Sequence, residues 1–337
     1  MPDVFYVLVC VMITAFVVLD GFDFGAGALL FLVARTPDER RRVHRAIGPF
    51  WDGNEVWLLA AAGLLFAAFP RALAAAMSGF YLGMVLVIWL FIGRALAIEL
   101  RHHVEDALFA GLFDVLFCAA SLGLPLTLGI ALGNLIRGVP LEEGGFALPF
   151  FADLAGRGEK GLIDVFTLAS GVVAVLATSL HGAAFLAWRE DGPVGERARA
   201  LVPRLVVAVA ILLVVAGAAT FVFAGPAAAA LRSRPTAITF GALAPLLLGA
   251  ARWLSGKGRA RDAFLASAGF LATTLASIAA AQHPYLVRGI PEALSIGTDS
   301  HAGSTSLHAA LAWFAIGFPL ACTYVGVIFR YERRGGA

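Results

Sequence analysis

Apolar runs long enough to cross a bilayer alternate along the chain with short polar breaks. A spanning helix needs about 20 mostly apolar residues. Nine stretches fit that length: residues 4–33, 50–69, 76–98, 108–132, 162–188, 203–224, 236–254, 262–280 and 306–330. Glycines and Pro125 inside them are tolerated, because such residues are common in membrane helices. The pattern predicts an all-α, polytopic membrane protein, with about nine helices packed as bundles in one membrane domain over residues 1–337. The longest breaks, Gly133 to Gly161 and Ala281 to Thr305, carry Gly, Pro and acids and predict an ordered cap rather than a separate domain.

Composition supports this reading. Hydrophobic residues make up 60% of the chain and charged residues 14%, with a mean hydropathy of +0.86. A soluble domain is nearer 25% charged. The net charge of +2 identifies no partner, and nothing points to nucleic acid. The distribution of charge is more informative. Eighteen of the 25 Lys and Arg residues fall on the side that holds the odd-numbered loops and the C-terminus. The positive-inside rule then puts the N-terminus outside and the C-terminus in the cytoplasm. The first apolar run is too long, and lacks the basic start, expected of a cleaved leader. Cys10, Cys118 and Cys322 form no C-x-x-C pair, which argues against a disulfide framework, a zinc site or an iron–sulfur cluster.

Charge inside the apolar runs is the candidate chemistry. An ionised residue at membrane depth costs about 3 kcal/mol on insertion scales, so it is kept mainly when paired, wetted or used. Asp20 and Asp23 sit in the first run, and Asp52 and Glu55 open the second; each pair is three apart and shares a helix face. Arg94 and Glu99 close the third. With the predicted orientation, the depth order from the cytoplasm is Glu99, Asp52, Asp23, Asp20, with Arg94 above Glu99 as a charge partner. Such a string of acids marks a proton relay. Capping is the simpler reading for Asp52, and hydrogen bonding to Asn54 or backbone for Asp20 and Glu55. Of the seven histidines only His181 lies well inside a run; His102 and His103 sit at the interface. Bis-histidine haem needs two histidines at matched depth on facing helices, which no intramembrane pair satisfies; a single axial ligand at His181 stays open. His181 reads as an interior hydrogen-bonding or proton group. Trp51 falls at headgroup level and Trp57 deeper, as a packed indole.

These residues carry a family resemblance. Asp20-Gly21-Phe22-Asp23-Phe24-Gly25, Pro49-Phe50-Trp51-Asp52-Gly53-Asn54-Glu55-Val56-Trp57, Arg94-Ala95-Leu96-Ala97-Ile98-Glu99-Leu100-Arg101, Gly133-Asn134-Leu135-Ile136-Arg137-Gly138-Val139-Pro140 and His181-Gly182-Ala183 resemble subunit II of cytochrome bd-type quinol oxidases. The compact C-terminal loops are similar to the cyanide-insensitive branch. The resemblance implies a multi-pass subunit of a terminal oxidase in the bacterial cytoplasmic membrane, reducing dioxygen to water with electrons from quinol. It implies a heterodimer in which subunit I holds haem b, haem d and the quinol site, and in which this chain ligates no haem. A small accessory subunit is compatible with it. It further implies a proton path through Asp23, Asp52 and Glu99, and a dioxygen route near Trp57. Two other readings compete: a proton-coupled secondary transporter and a structural scaffold subunit. The transporter reading lacks the paired Gly/Pro-broken segments expected of inverted repeats.

Overall fold

The first apolar run does not form one straight helix. In a computed structural model, α1 (Pro2–Leu19) stops at Asp20, and α2 (Gly21–Ala28) and α3 (Leu30–Val33) continue it in short pieces. Asp and Gly are poor helix formers, and they coincide at the break. The structure describes residues 1–101, 103, 106–142, 145–156 and 158–334, and no side chains at 332–334. His102, Arg157 and the side chains of Arg333 and Arg334 lie outside the described residues.

Then follow α4 (Pro37–Ile47), α5 (Trp51–Ala68), α6 (Pro70–Gly79), α7 (Tyr81–Arg101), α8 (Ala107–Arg137), α9 (Val165–Arg189) and α10 (Pro193–Phe223). After these come α11 (Gly225–Ser233), α12 (Pro235–Gly256), α13 (Ala260–Gln282) and α14 (Ser304–Arg334). Among the described residues eight helices are long and apolar enough to span a membrane, or nine if α5 and α6 count as one span. That pair turns by 120° at its break. Pro70 is the cause, since the residue before a proline avoids the helical region, and Phe69 sits at φ −134°, ψ 58°. The sequence pattern placed a break at residues 70–75 and began the third run at residue 76, and gave no warning of α6. The helix α10 also begins ten residues earlier than its apolar run, because its charged first two turns (Glu196, Arg197, Arg199) form good helix even where they are not a good span.

Packing joins α2, α8, α10 and α13 around α9, while α1 lies on α5 and α7 on α8. Small residues permit the tightest crossing. A Cβ placed on Gly25 would stand 2.7 Å from the Gly182 nitrogen, so α2 and α9 meet backbone to backbone. Gly182→Val is therefore expected to cost about 3 kcal/mol or more through overpacking. The check is the yield of folded chain in detergent; wild-type yield would contradict the close crossing.

At one end the two longest loops form the expected cap. Val139 N donates to Arg288 O at 2.9 Å and Ile290 N to Val139 O at 2.8 Å, so the loops pair with each other. A short antiparallel pair, β1 (Tyr285–Val287) with β2 (Ile296–Gly297), completes it. At the basic end α4 lies across the bundle. Its capping box, Thr36 with Glu39, is complete. Glu39 also accepts from Arg197 Nη1 and Nη2 at 2.8 and 3.0 Å. The hydrogen bonds from Arg197, joined by the Arg35 amide, hold the Glu39 carboxyl down at about 2. A lowered carboxyl stabilises the fold above its ordinary value and loses that contribution as pH falls through its folded value. Glu39→Gln should thus speed hydrogen exchange of α4 amides at neutral pH, and the difference from wild type should close as pH approaches about 2. A difference independent of pH would contradict the ion pair.

Candidate functional site

Asp20, at the end of α1, and Asp23 and Phe24 on α2 meet Arg94 on α7. Arg94 Nη1 donates to Asp20 Oδ2 at 2.8 Å, and Nη2 to Asp20 Oδ1, a two-pronged contact. Nη2 also lies 3.7 Å from Asp23 Oδ2, and Nη1 reaches Glu55 Oε1 on α5 at 3.2 Å. The guanidinium covers the Phe24 ring at 4.5 Å. Arg94, Asp20 and Asp23 are 0% exposed, whereas the Glu55 side chain is 27% exposed. Four of the residues singled out in the sequence are therefore one centre: three carboxylates around one guanidinium inside an apolar bundle. One cation offsets one carboxylate in a low-dielectric interior, where unpaired charge is costly. The remaining acids need either a proton, which leaves them neutral, or another cation.

Asn54 completes it. Its amide Nδ2 donates to Asp23 Oδ2 at 2.8 Å and to Leu19 O at 2.9 Å. His181 makes a parallel contact: its Nε2 donates to Val18 O at 2.9 Å, and its Nδ1 meets Ser267 Oγ at 2.7 Å. The Val18 and Leu19 carbonyls, just before the interruption at Asp20, thus each receive a side-chain donor.

The other two acids stand outside the centre. Asp52, in the first turn of α5, and Glu99, near the end of α7, are both exposed. Asp52 makes no cap hydrogen bond; the residue at the cap position is Phe50.

Comparison with known proteins decides the family. The cytochrome bd terminal oxidase subunit II family matches residues 1–331. The chain belongs to that family. It is 36% identical over 213 residues to cytochrome bd ubiquinol oxidase subunit 2 of Bacillus subtilis, covering 62% of this chain and 60% of that protein. It is also 36% identical over 197 residues to cytochrome bd-I ubiquinol oxidase subunit 2 of Escherichia coli K12, covering 58% and 51%. The matched region thus spans little more than half the length of these curated relatives. A solved structure, the bd oxidase from Geobacillus thermodenitrificans, superposes with a TM-score of 0.78 over 98% of both chains at 19% identity, a likeness of fold.

In this subunit II chain Trp57 is buried beside Phe318, with ring centroids 6.0 Å apart and edge-on. It lines an apolar crevice of about 410 Å³ between α1, α5 and α14, with Met12, Ala60, Leu64 and Phe314 among its walls. The walls of this crevice are almost wholly apolar. The His181 ring is stacked on Phe264 at 4.7 Å, and both its nitrogens are engaged. It therefore does not present a nitrogen to a haem. Among the described residues no three His, Cys, Asp or Glu side chains are grouped to hold a metal ion.

Sequence reading missed a second charged centre. Asp114 on α8 is fully buried and accepts from Arg40 Nε at 2.8 Å and Arg101 Nε at 2.9 Å, with His44 Nε2 at 3.2 Å. The signal was present, since Leu112-Phe113-Asp114-Val115-Leu116 is an acid within an apolar run. The buried residues of α7 are Arg94, Ala97, Ile98 and Arg101, so one helix face carries both arginines, about 10 Å apart along its axis. The first centre holds more acids than arginines, while the second has two arginines and a histidine to one acid.

Proposed function

We propose that this chain is the second subunit of a quinol:dioxygen oxidoreductase in the bacterial cytoplasmic membrane, and that it delivers protons through the Arg94 centre. Family membership supports the complex. The single observation that carries the proton role is the grouping of Asp20, Asp23 and Glu55 around Arg94 at 0% exposure of the guanidinium. In this reading the chain acts as one membrane domain, with its basic end and C-terminus in the cytoplasm and its N-terminus outside. Asp23 carries the exchangeable proton. Glu55, partly exposed, passes it between the centre and the surface, and Asp52 and Glu99 form the cytoplasmic rim. Trp57 and its crevice admit dioxygen from the lipid.

The partner, subunit I, carries haem b, haem d and the quinol site in this proposal; the haems supply electron transfer to dioxygen when bound there. The engaged nitrogens of His181 offer no axial ligand to a haem, which supports placing the haems in the partner. Lipid covers the exposed apolar faces away from the partner, and a small accessory subunit is accommodated.

The test is purification of the tagged chain from its native membrane. The expected result is co-purification of a second large chain, with b- and d-type bands in the reduced-minus-oxidised spectrum. A chain that purifies without haem and moves a solute in liposomes would overturn the proposal in favour of a transporter.

A further inference from the structure

Asn54 was read in the sequence only as a neighbour for the acids; its geometry gives it a more specific task. It is 2% exposed, and its single amide nitrogen has two hydrogens and two acceptors, Leu19 O and Asp23 Oδ2. Leu19 O belongs to the residue at which α1 ends. Asn54 on α5 therefore ties the broken end of α1 and the first turn of α2 to one point.

The consequence falls on the two oxygens of Asp23. Oδ2 has the Asn54 donor and faces Arg94 Nη2 at 3.7 Å. Oδ1 is buried and has no donor among the described residues, and the neighbouring Asp20 carboxyl, itself an acceptor, is within reach of a hydrogen on Asp23. A buried oxygen without a donor is a poor seat for negative charge and a good seat for a hydrogen. With Oδ2 anchored, rotation of the carboxyl group about its own bond would break the Asn54 contact and expose an unsatisfied amide.

We infer that Asn54 is a positioning residue that fixes the Asp23 carboxyl so that Oδ1 alone accepts and releases the transferred proton. In the protonated state Oδ2 is the carbonyl oxygen and accepts from Asn54. In the ionised state the charge is shared by both oxygens, and the same amide and Arg94 stabilise it through Oδ2. The Asn54 hydrogen bond persists through the cycle, so the carboxyl is not reoriented each time a proton passes. Removing the amide lets the two oxygens exchange roles, and the proton then spends part of its time on the oxygen facing Arg94.

This inference rests on the proton role of Asp23 proposed above, and its test separates the two. The assembled complex is studied by infrared difference spectroscopy in the carboxylic-acid C=O region, and by proton uptake in vesicles. In wild type, one narrow band is expected that Asp23→Asn abolishes. Asn54→Leu, similar in volume and without donors, should split or broaden that band. It should also slow linked proton uptake about tenfold, the weight of one hydrogen bond to a charged group, while KM for quinol stays unchanged. Asn54→Ser keeps one donor for two acceptors; it should give the same split band and serves if the leucine variant fails to assemble. An Asp23 band unchanged in both Asn54 variants would overturn the inference and leave the proton role standing. Proton uptake unaffected by Asp23→Asn would overturn both.

Discussion

Arg94→Gln is expected to remove the chain from the membrane fraction almost entirely. The substitution keeps a polar side chain but removes the cation that touches Asp20, Asp23 and Glu55. Breaking a buried pair by deleting one partner costs about 3–5 kcal/mol, because an uncompensated buried charge is left behind. Asp20 suffers most, since it loses a two-pronged partner while 0% exposed. The loss is a large fraction of the whole stability of an ordinary domain, about 5–15 kcal/mol. The measurement is the amount of chain and co-purified partner by immunoblot. Combining Arg94→Gln with Asp20→Asn should recover part of the yield, because the second change removes the stranded charge. Full accumulation of the single variant would mean that the carboxylates do not depend on Arg94.

The second large effect belongs to Asp114. Replacing it with leucine removes the acceptor that Arg40, Arg101 and His44 share. Arg101 is only 3% exposed, so it cannot turn to water without moving the end of α7. We expect about 3–5 kcal/mol of destabilisation. We also expect α4, which carries Arg40 and His44, to detach first. Limited proteolysis at the arginines of α4 reads this directly: cleavage should appear in the variant under conditions where wild type is resistant. Equal resistance would contradict the role of Asp114 as the anchor of α4.

The sequence made the helices and much of the first centre legible, because both follow from hydropathy. Asp20, Asp23, Glu55 and Arg94 stood out as charges within apolar runs, and the structure gathers them. Their pairing was less legible. Arg94 and Glu99 are five residues apart on one helix, about 140° around its axis, so one points into the bundle and the other out. Chain proximity therefore suggested Glu99 as the neighbour of Arg94, whereas tertiary packing supplied Asp20. Asp52 and Glu55 share a face only approximately; about 60° of rotation leaves Asp52 exposed while Glu55 reaches the guanidinium. Asp114 was legible by the same rule that found Asp20, but its arginines come from α4 and the end of α7, segments that read as loop-side charge. Nothing local forecast the 120° turn into α6 beyond Pro70 itself.

The proton role of the centre is tested most directly by Asp23→Asn in the purified complex, reconstituted in vesicles with haem content matched to wild type. Proton uptake linked to dioxygen reduction should fall by about two orders of magnitude or more, as expected when a positioned acid–base group is lost. Uptake and turnover at wild-type rates in that variant would contradict the centre's part in moving protons and leave its charges as structural packing alone.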